Sequence, residues 1–133
     1  MPEIAKEFIL AEIRSAEERL EAAKHLLEEG FLSDAVSRAY YAAYFAARAV
    51  INALGHDVKT HAGLVSQFGI LAVKAGIMPR EYGITLRRAY EMRETAEYQV
   101  LAEFEKREVE NLLHDVERFV SEARKTVYKL IEG

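Results

Sequence analysis

The stretch Ala35–Leu54, AVSRAYYAAYFAARAVINAL, decides the fold that this sequence predicts. It contains neither glycine nor proline and is rich in alanine, so it predicts a helix. Apolar residues cover most of the helix circumference, which is typical of a helix that several neighbours bury. These residues are Val36, Ala39, Tyr40, Ala43, Ala46, Ala47, Val50 and Leu54. We therefore expect the other helices to pack around this one.

A narrow polar line runs along the same helix, with its residues three or four positions apart. It consists of Arg38, Tyr41, Phe45, Arg48 and Asn52. Two arginines and two aromatic side chains on one line suit a groove or a surface that binds a partner. The central helix is therefore predicted to form part of the core and also the floor of a site.

The chain before this stretch predicts one more helix. Apolar residues recur at intervals of three and four from Ile4 to Glu29, with charged residues on the other side. Gly30 is typical of a helix end, and Ser33 or Asp34 is typical of a cap for the central helix. Because the connection is short, we expect the first two helices to form an antiparallel hairpin.

The chain after the central helix predicts three further helices. Thr60 suits the cap of a third, shorter helix, which runs through Ala72 and closes at Gly76. Pro79 opens a fourth helix, and an apolar stripe from Val109 to Ile131 marks the last one. We expect the fourth helix to fray in the polar segment 97–103.

The length and the patterning together predict the fold class. A chain of 133 residues is the size of one domain, so we predict a single domain over residues 1–133. No segment alternates with a period of two for long, which argues against a sheet. The predicted fold is all-α, an up-and-down four-helix bundle with an additional short helix.

The composition excludes several classes of function. The chain has no cysteine, which rules out disulfides and zinc sites built on sulfur and fits a reducing cytoplasm. We find no pattern of a signal peptide and no apolar run of roughly 20 residues, so we expect a cytoplasmic protein without a membrane span. The net charge of −4 argues against non-specific coating of nucleic acid and leaves a local basic patch open.

Arg93 is the charged residue that fits its predicted surroundings least. It shares the apolar stripe of the fourth helix with Tyr82 and Leu86. A guanidinium on that side needs acceptors, because an unpaired buried charge is costly. If the acceptor is a carboxylate from another helix, Arg93 has a structural role. If it is a phosphate, Arg93 binds a ligand, and both alternatives stay open. Tyr98, five residues on, supplies a second polar group in the same region.

Further polar residues are candidates for the same site. His61 and Lys59 lie near a predicted helix start, where backbone N–H groups favour anions, although the imidazole can equally cap or pack a turn. Tyr41 and Arg38 lie on the polar line, where the phenol can stack on a base or pack across a dimer. Tyr40 lies on the apolar face, so we expect it in the core with its hydroxyl satisfied. No set of ligands with metal-binding spacing occurs, so we expect no metal.

Three segments resemble the HEPN domain in their order and spacing. They are SRAYYAAYFAA at 37–47, KTH at 59–61 and RETAEY at 93–98. The resemblance covers essentially the whole chain and is closest to the small stand-alone prokaryotic members of the UPF0332 type. It implies an all-α bundle that forms homodimers. It also implies a metal-independent ribonuclease, often a toxin encoded beside a minimal nucleotidyltransferase antitoxin.

The catalytic signature of that family is an arginine followed a few residues later by a histidine, placed at the interface of the two protomers. The resemblance assigns the arginine to Arg93, whereas the histidine position holds Tyr98. A tyrosine that the antitoxin can modify would correspond to Val100, so that regulation does not carry over. Because tyrosine has a pKa near 10, it is a poor base at neutral pH. Binding without efficient cleavage is therefore the more economical prediction.

The sequence leaves three functional hypotheses. The first is a homodimer that binds a nucleotide or RNA and has a nucleotidyltransferase as its partner, without a cofactor. The predicted ligand-binding residues are Arg93, Tyr98, His61, Lys59, Tyr41 and Arg38. The second hypothesis is an active ribonuclease in which Arg93 and Tyr98 are catalytic. The third is a non-catalytic interaction module whose arginines only form ion pairs.

Overall fold

Five α-helices make up most of the protein in a computed structural model that describes residues 1–133, except for the side chain of Ile4. They are α1 Glu3–Glu28, α2 Leu32–Ala53, α3 His61–Phe68, α4 Arg80–Tyr98 and α5 Lys106–Glu132. A π-helical segment, Gly69–Lys74, continues α3. Within the part of the chain that the structure describes there is no β-strand. The prediction of an all-α bundle with one additional short helix is confirmed.

The central position of α2 is also confirmed. It packs against α1, α3, α4 and α5, and half of its 22 residues are buried. Seven of the buried residues are alanines, whose small side chains let the neighbouring helices approach closely. The ring of Tyr40 is completely buried among them. The helix that the sequence placed at the centre therefore forms the core of the bundle.

The turn between α1 and α2 differs from the prediction in one respect. Gly30 has a φ of +84°, and the N–H of Phe31 donates to the carbonyl of Leu26 at 2.9 Å, which ends α1 as expected. The next helix begins at once, so Ser33 and Asp34 lie within its first turn. The prediction that one of them caps α2 is therefore wrong, because this tight turn leaves only Phe31 at the N-cap position.

The cap of α3 agrees with the prediction. The hydroxyl of Thr60 accepts a hydrogen bond of 2.9 Å from the N–H of Gly63. A Cβ atom at Gly63 would lie 2.5 Å from that hydroxyl, so the cap requires glycine there. The predicted helix through Ala72 changes to π-helical geometry at Gly69, and Gly76, with a φ of +78°, ends it.

The last two helices close the bundle over α2. Pro79 lies at the N-cap position of α4, which remains helical to Tyr98 before the turn that leads to α5. The apolar stripe of α5 is buried against α1, α2 and α4. No helix among the described residues has both the length and the apolar character that crossing a membrane requires. The fold thus brings the end of α4 beside the first half of α2.

Candidate functional site

Arg93 is held among aromatic side chains between α2 and α4. Its Nη2 donates to the hydroxyl of Tyr41 at 3.2 Å. Its Nε and Nη2 contact the carboxylate of Glu97 at 3.0 Å and 2.9 Å. The guanidinium lies 5.2 Å from the ring centre of Tyr40 and 5.4 Å from that of Tyr41, and the side chain is only 14% exposed. Arg93 thus has a carboxylate partner, which comes from its own helix and not from another one.

His61, the first residue of α3, lies against the same tyrosines. Its Nδ1 is 2.6 Å from the hydroxyl oxygen of Tyr40. Its ring stacks on that of Tyr44, with ring centres 4.5 Å apart, and makes an edge contact with Tyr41. The fold therefore brings together a guanidinium, an imidazole and three phenols. We call these residues the Arg93 cluster: Tyr40, Tyr41, Tyr44, His61 and Arg93.

Two pKa shifts in the Arg93 cluster favour a neutral His61 beside a protonated Tyr40. Burial lowers the pKa of His61 below its ordinary value, and the positive charge of Arg93 lowers it further, while Glu97 opposes both. Burial also raises the pKa of Tyr40. The phenol therefore keeps its proton beside a neutral imidazole. In the hydrogen bond between them, the phenol donates when the imidazole proton lies on Nε2, and it accepts when that proton lies on Nδ1.

We expect this histidine to make the protein less stable as the pH falls below 6.5. Because the pKa of His61 is lower in the folded chain than its ordinary value of 6.5, the unfolded chain binds more protons between those two values. The contribution of His61 to the free energy of unfolding is therefore complete above pH 6.5 and is lost as the pH falls toward the folded-state pKa. Urea denaturation between pH of about 5 and about 8 measures this loss.

A pair of matched variants isolates that contribution. His61→Gln should flatten the pH dependence below 6.5, whereas His25→Gln, at an exposed position on α1, should leave it as in the wild type. Equal effects of the two substitutions would contradict the placement of His61 in the Arg93 cluster.

The other predicted site residues lie elsewhere. Tyr98 ends α4 with 72% of its surface exposed, and its hydroxyl forms no hydrogen bond with any described residue. The Lys59 side chain is 86% exposed, with its Nζ 3.8 Å from Asp57. Arg38 is exposed on α2, one turn before Tyr41. Of the six predicted residues, the structure thus brings together Arg93, Tyr41 and His61, with Arg38 close by.

A cavity of about 520 Å³ opens beside the Arg93 cluster. It lies between the first three turns of α2 and the last turn of α4, and Leu26 of α1 also lines it. Its polar lining consists of Ser33, Asp34, Ser37, Arg38, Tyr41 and Glu97. Because Tyr41 and Glu97 both contact Arg93, the cavity and the Arg93 cluster form one continuous site. We call the cavity alone the α2–α4 cavity.

Arg48 and Asn52, at the C-terminal end of the polar line on α2, hold α2 against α1. Asn52 donates to Glu12 of α1 at 2.7 Å, and the Nε of Arg48 lies 3.2 Å from the same carboxylate. Burial raises the pKa of Glu12, although Asn52 and Arg48 both oppose that shift. The line that the sequence predicted as one groove is therefore divided between the candidate site and a buried polar network.

Sequence reasoning missed two contributors to the site. Glu97 lies four residues after Arg93, a spacing at which opposite charges on a helix can pair. Tyr44 lies four residues after Tyr40 and three after Tyr41, so all three point to one side of α2. Both signals are local and were available in the sequence. No three His, Asp or Glu side chains in the described part of the chain lie close enough together to hold a metal ion.

Comparison with known proteins identifies the class that this fold and site define. The model of the HEPN domain matches residues 10–126. The chain therefore belongs to the HEPN domain family. The resemblance that the sequence suggested is confirmed.

Curated relatives cover nearly the whole chain. A protein of Methanocaldococcus jannaschii named “Putative toxin” is 35% identical, over 95% of this chain and 93% of the relative. A “UPF0332 protein” of Thermotoga maritima is also 35% identical, over 90% of this chain and 87% of its own length. A second M. jannaschii protein named “Putative toxin” is 32% identical, over 85% of this chain and 77% of the relative.

Proposed function

We propose that this protein is a cytoplasmic homodimer that binds RNA or a nucleotide at Arg93 and is the partner of a minimal nucleotidyltransferase in a toxin–antitoxin-like pair. One observation carries the binding proposal. The Nε of Arg93 donates to Glu97, and its Nη2 donates to both Glu97 and Tyr41. Its Nη1 has no hydrogen-bond partner among the described residues. The guanidinium is therefore fixed in place and keeps two N–H donors for a phosphate.

The surroundings of Arg93 suit RNA better than a free phosphate ion. The half-buried ring of Tyr41 contacts it, and the half-buried ring of Tyr44 contacts Tyr41. Aromatic rings of this kind can stack on unpaired bases. Arg38 adds a positive charge at the rim of the α2–α4 cavity. The base attached to a phosphate at Arg93 could thus lie in the α2–α4 cavity, against the ring of Tyr41.

The proposal of a homodimer is supported by exposed apolar residues near the same end of the bundle. Val100 and Leu101 are 96% and 93% exposed, and Phe31 in the α1–α2 turn is 57% exposed. Apolar exposure of this kind is typical of an interaction surface. In a symmetric pair, the exposed Tyr98 of one copy would be available to the site of the other. Tyr98 would therefore contribute to the proposed site only in the homodimer.

The toxin–antitoxin role rests on the family. Two relatives carry the name “Putative toxin”, and the nucleotidyltransferase partner is implied by the family resemblance. The gene beside the one for this protein gives a direct check. Co-expression of the two products should yield a complex that survives gel filtration, if the neighbour encodes a small nucleotidyltransferase.

His61 favours a second candidate function, that of a metal-independent ribonuclease. Cleavage through the 2′-hydroxyl needs a group that accepts a proton and a positive charge for the phosphate. The neutral imidazole of His61 lies in the Arg93 cluster, although it comes from α3 and not from the family position after Arg93. It would act as the base in the tautomer whose Nδ1–H donates to the hydroxyl of Tyr40 and whose Nε2 is free, with Arg93 holding the phosphate.

Titration with RNA tests the proposed function. We expect a fluorescein-labelled single-stranded RNA to bind at low salt with an affinity that falls linearly on a logarithmic salt scale, because phosphate contacts release counterions. Fluorescence anisotropy measures it, and gel electrophoresis of the same samples in the presence of EDTA detects cleavage. Absence of binding at low salt would contradict the proposal. If cleavage occurs, His61→Gln should slow it by about 10²–10⁴-fold.

A further inference from the structure

The α2–α4 cavity holds two opposite charges that do not pair. Asp34 and Arg38 lie one turn apart on α2, at a spacing that permits an ion pair, and both line the cavity. No salt bridge links either side chain to any described residue. Arg93 and Glu97, by contrast, pair with each other nearby. The cavity therefore presents a free carboxylate and a free guanidinium to a ligand.

A phosphate alone does not account for this combination. The unpaired carboxylate of Asp34 would repel an anion, and a carboxylate can only accept hydrogen bonds. Its natural partner is a ligand with adjacent N–H donors. The guanidinium of Arg38 donates only, so the same ligand must also carry acceptors.

Among the RNA bases, guanine matches both requirements. Its N1–H and N2–H groups point the same way and fit one carboxylate, while its O6 and N7 both accept and fit one arginine. Uracil has a single N–H donor on its pairing edge. Adenine and cytosine have an amino group without an adjacent N–H donor. They would set an acceptor nitrogen against the carboxylate.

The shape and position of the cavity agree with this assignment. Its volume of about 520 Å³ is in the range of sites that hold small ligands. Leu26 and Ala96 provide an apolar floor, and the ring of Tyr41 forms part of the wall. Because Tyr41 also hydrogen-bonds to Arg93, a base in the cavity would lie next to the proposed phosphate site.

We propose that the α2–α4 cavity is a guanine-binding subsite. Asp34 accepts from N1–H and N2–H, Arg38 donates to O6 and N7, and the base stacks against Tyr41. The proposal rests on RNA binding at Arg93 and adds a base preference to it.

Oligonucleotides that differ in one base test the subsite. The probes are fluorescein-labelled oligoadenylates with a single central guanosine, inosine, cytidine or uridine, and oligoadenylate itself. We expect the guanosine probe to bind about ten- to a hundredfold more tightly than oligoadenylate, as a bidentate base contact provides. Inosine lacks the N2 amino group, so it should lose the part of that gain that the hydrogen bond from N2–H to Asp34 provides and keep the rest. Equal affinity for all the probes, with binding still dependent on Arg93, would overturn the subsite and leave the proposed function intact.

Two variants assign the preference to the cavity. Asp34→Asn should remove the guanosine preference without weakening the binding of oligoadenylate. Arg38→Ala should remove the preference and also weaken every probe, because it takes a positive charge from the site. Asp57→Asn, an exposed aspartate outside the cavity, is the matched control and should keep the preference. An equal loss for every probe in Asp34→Asn would overturn base recognition by this carboxylate. Failure of every probe to bind the wild type would overturn the proposed function and the subsite together.

Discussion

Replacing Arg93 with alanine is expected to weaken binding of single-stranded RNA by about a hundredfold. A hydrogen bond to a charged group contributes about 1.5–3 kcal/mol, and the proposed homodimer would lose one guanidinium from each copy. Fluorescence anisotropy at low salt measures the loss. The dependence of affinity on salt should also become shallower, because fewer phosphates are neutralised.

Another arginine of α4, which lies outside the proposed site, gives the matched control. Arg88 binds Asp115 at 2.9 Å and has a side chain that is 38% exposed. Arg88→Ala removes the same charge and should change RNA affinity only slightly. Arg93→Lys keeps the charge without the planar fork and should fall between the wild type and alanine. Equal losses in the two alanine variants would mean that only total charge matters, contrary to a site at Arg93.

Truncating Tyr40 to alanine is expected to destabilise the protein by about 3–5 kcal/mol, the usual cost of removing a large aromatic side chain from a core. The ring is fully buried on α2 and contacts the rings of Tyr41, Tyr44 and Tyr90. Such a loss is a large fraction of the roughly 5–15 kcal/mol that stabilises a typical domain. Urea denaturation at neutral pH measures it.

Tyr40→Phe separates the hydroxyl from the ring. It removes only the hydrogen bond to His61 and should cost about 1 kcal/mol. If the phenol is the donor to Nδ1, its loss makes the neutral imidazole less favoured, and the pKa of His61 should rise toward its ordinary value. NMR titration of the histidine ring detects that change. Equal destabilisation by phenylalanine and by alanine would contradict the view that the ring provides most of the stability.

The helices were predictable because their signals are local. The alanine-rich stretch 35–54 predicted a buried central helix, and eleven of the residues of α2 are indeed buried. Gly30 and Thr60 marked a helix end and a helix start that the structure contains. Such signals depend on residues within one or two turns of each other, so a single sequence reveals them.

The contacts of the site were not predictable in the same way. Arg93 and Tyr41 are 52 positions apart, and Tyr40 and His61 are 21 apart. Periodicity shows which face of a helix is buried, but it does not show which residue of a neighbouring helix lies opposite. The register of α4 against α2 therefore comes only from the structure. The sequence could have revealed only the local parts of the site, which are the i, i+4 pair of Arg93 and Glu97 and the position of Tyr44 on the same side of α2 as Tyr40 and Tyr41.

The incorrect prediction of the cap at Asp34 has a consequence for the site. A cap would have engaged the carboxylate with backbone N–H groups of its own helix. Because α2 begins at Leu32, the carboxylate is not used for a cap and lines the α2–α4 cavity. Local reasoning therefore misassigned the residue on which the proposed base preference depends.

NMR titration of ¹⁵N-labelled protein with single-stranded RNA tests the binding site most directly. If RNA binds at Arg93, the Nε–H resonance of Arg93 and the ring resonances of His61 should shift and saturate together, while the Nε–H resonance of Arg88 stays in place. The affinity from these shifts should equal that from anisotropy. Saturating shifts at Arg88 with none at Arg93 or His61 would contradict the account.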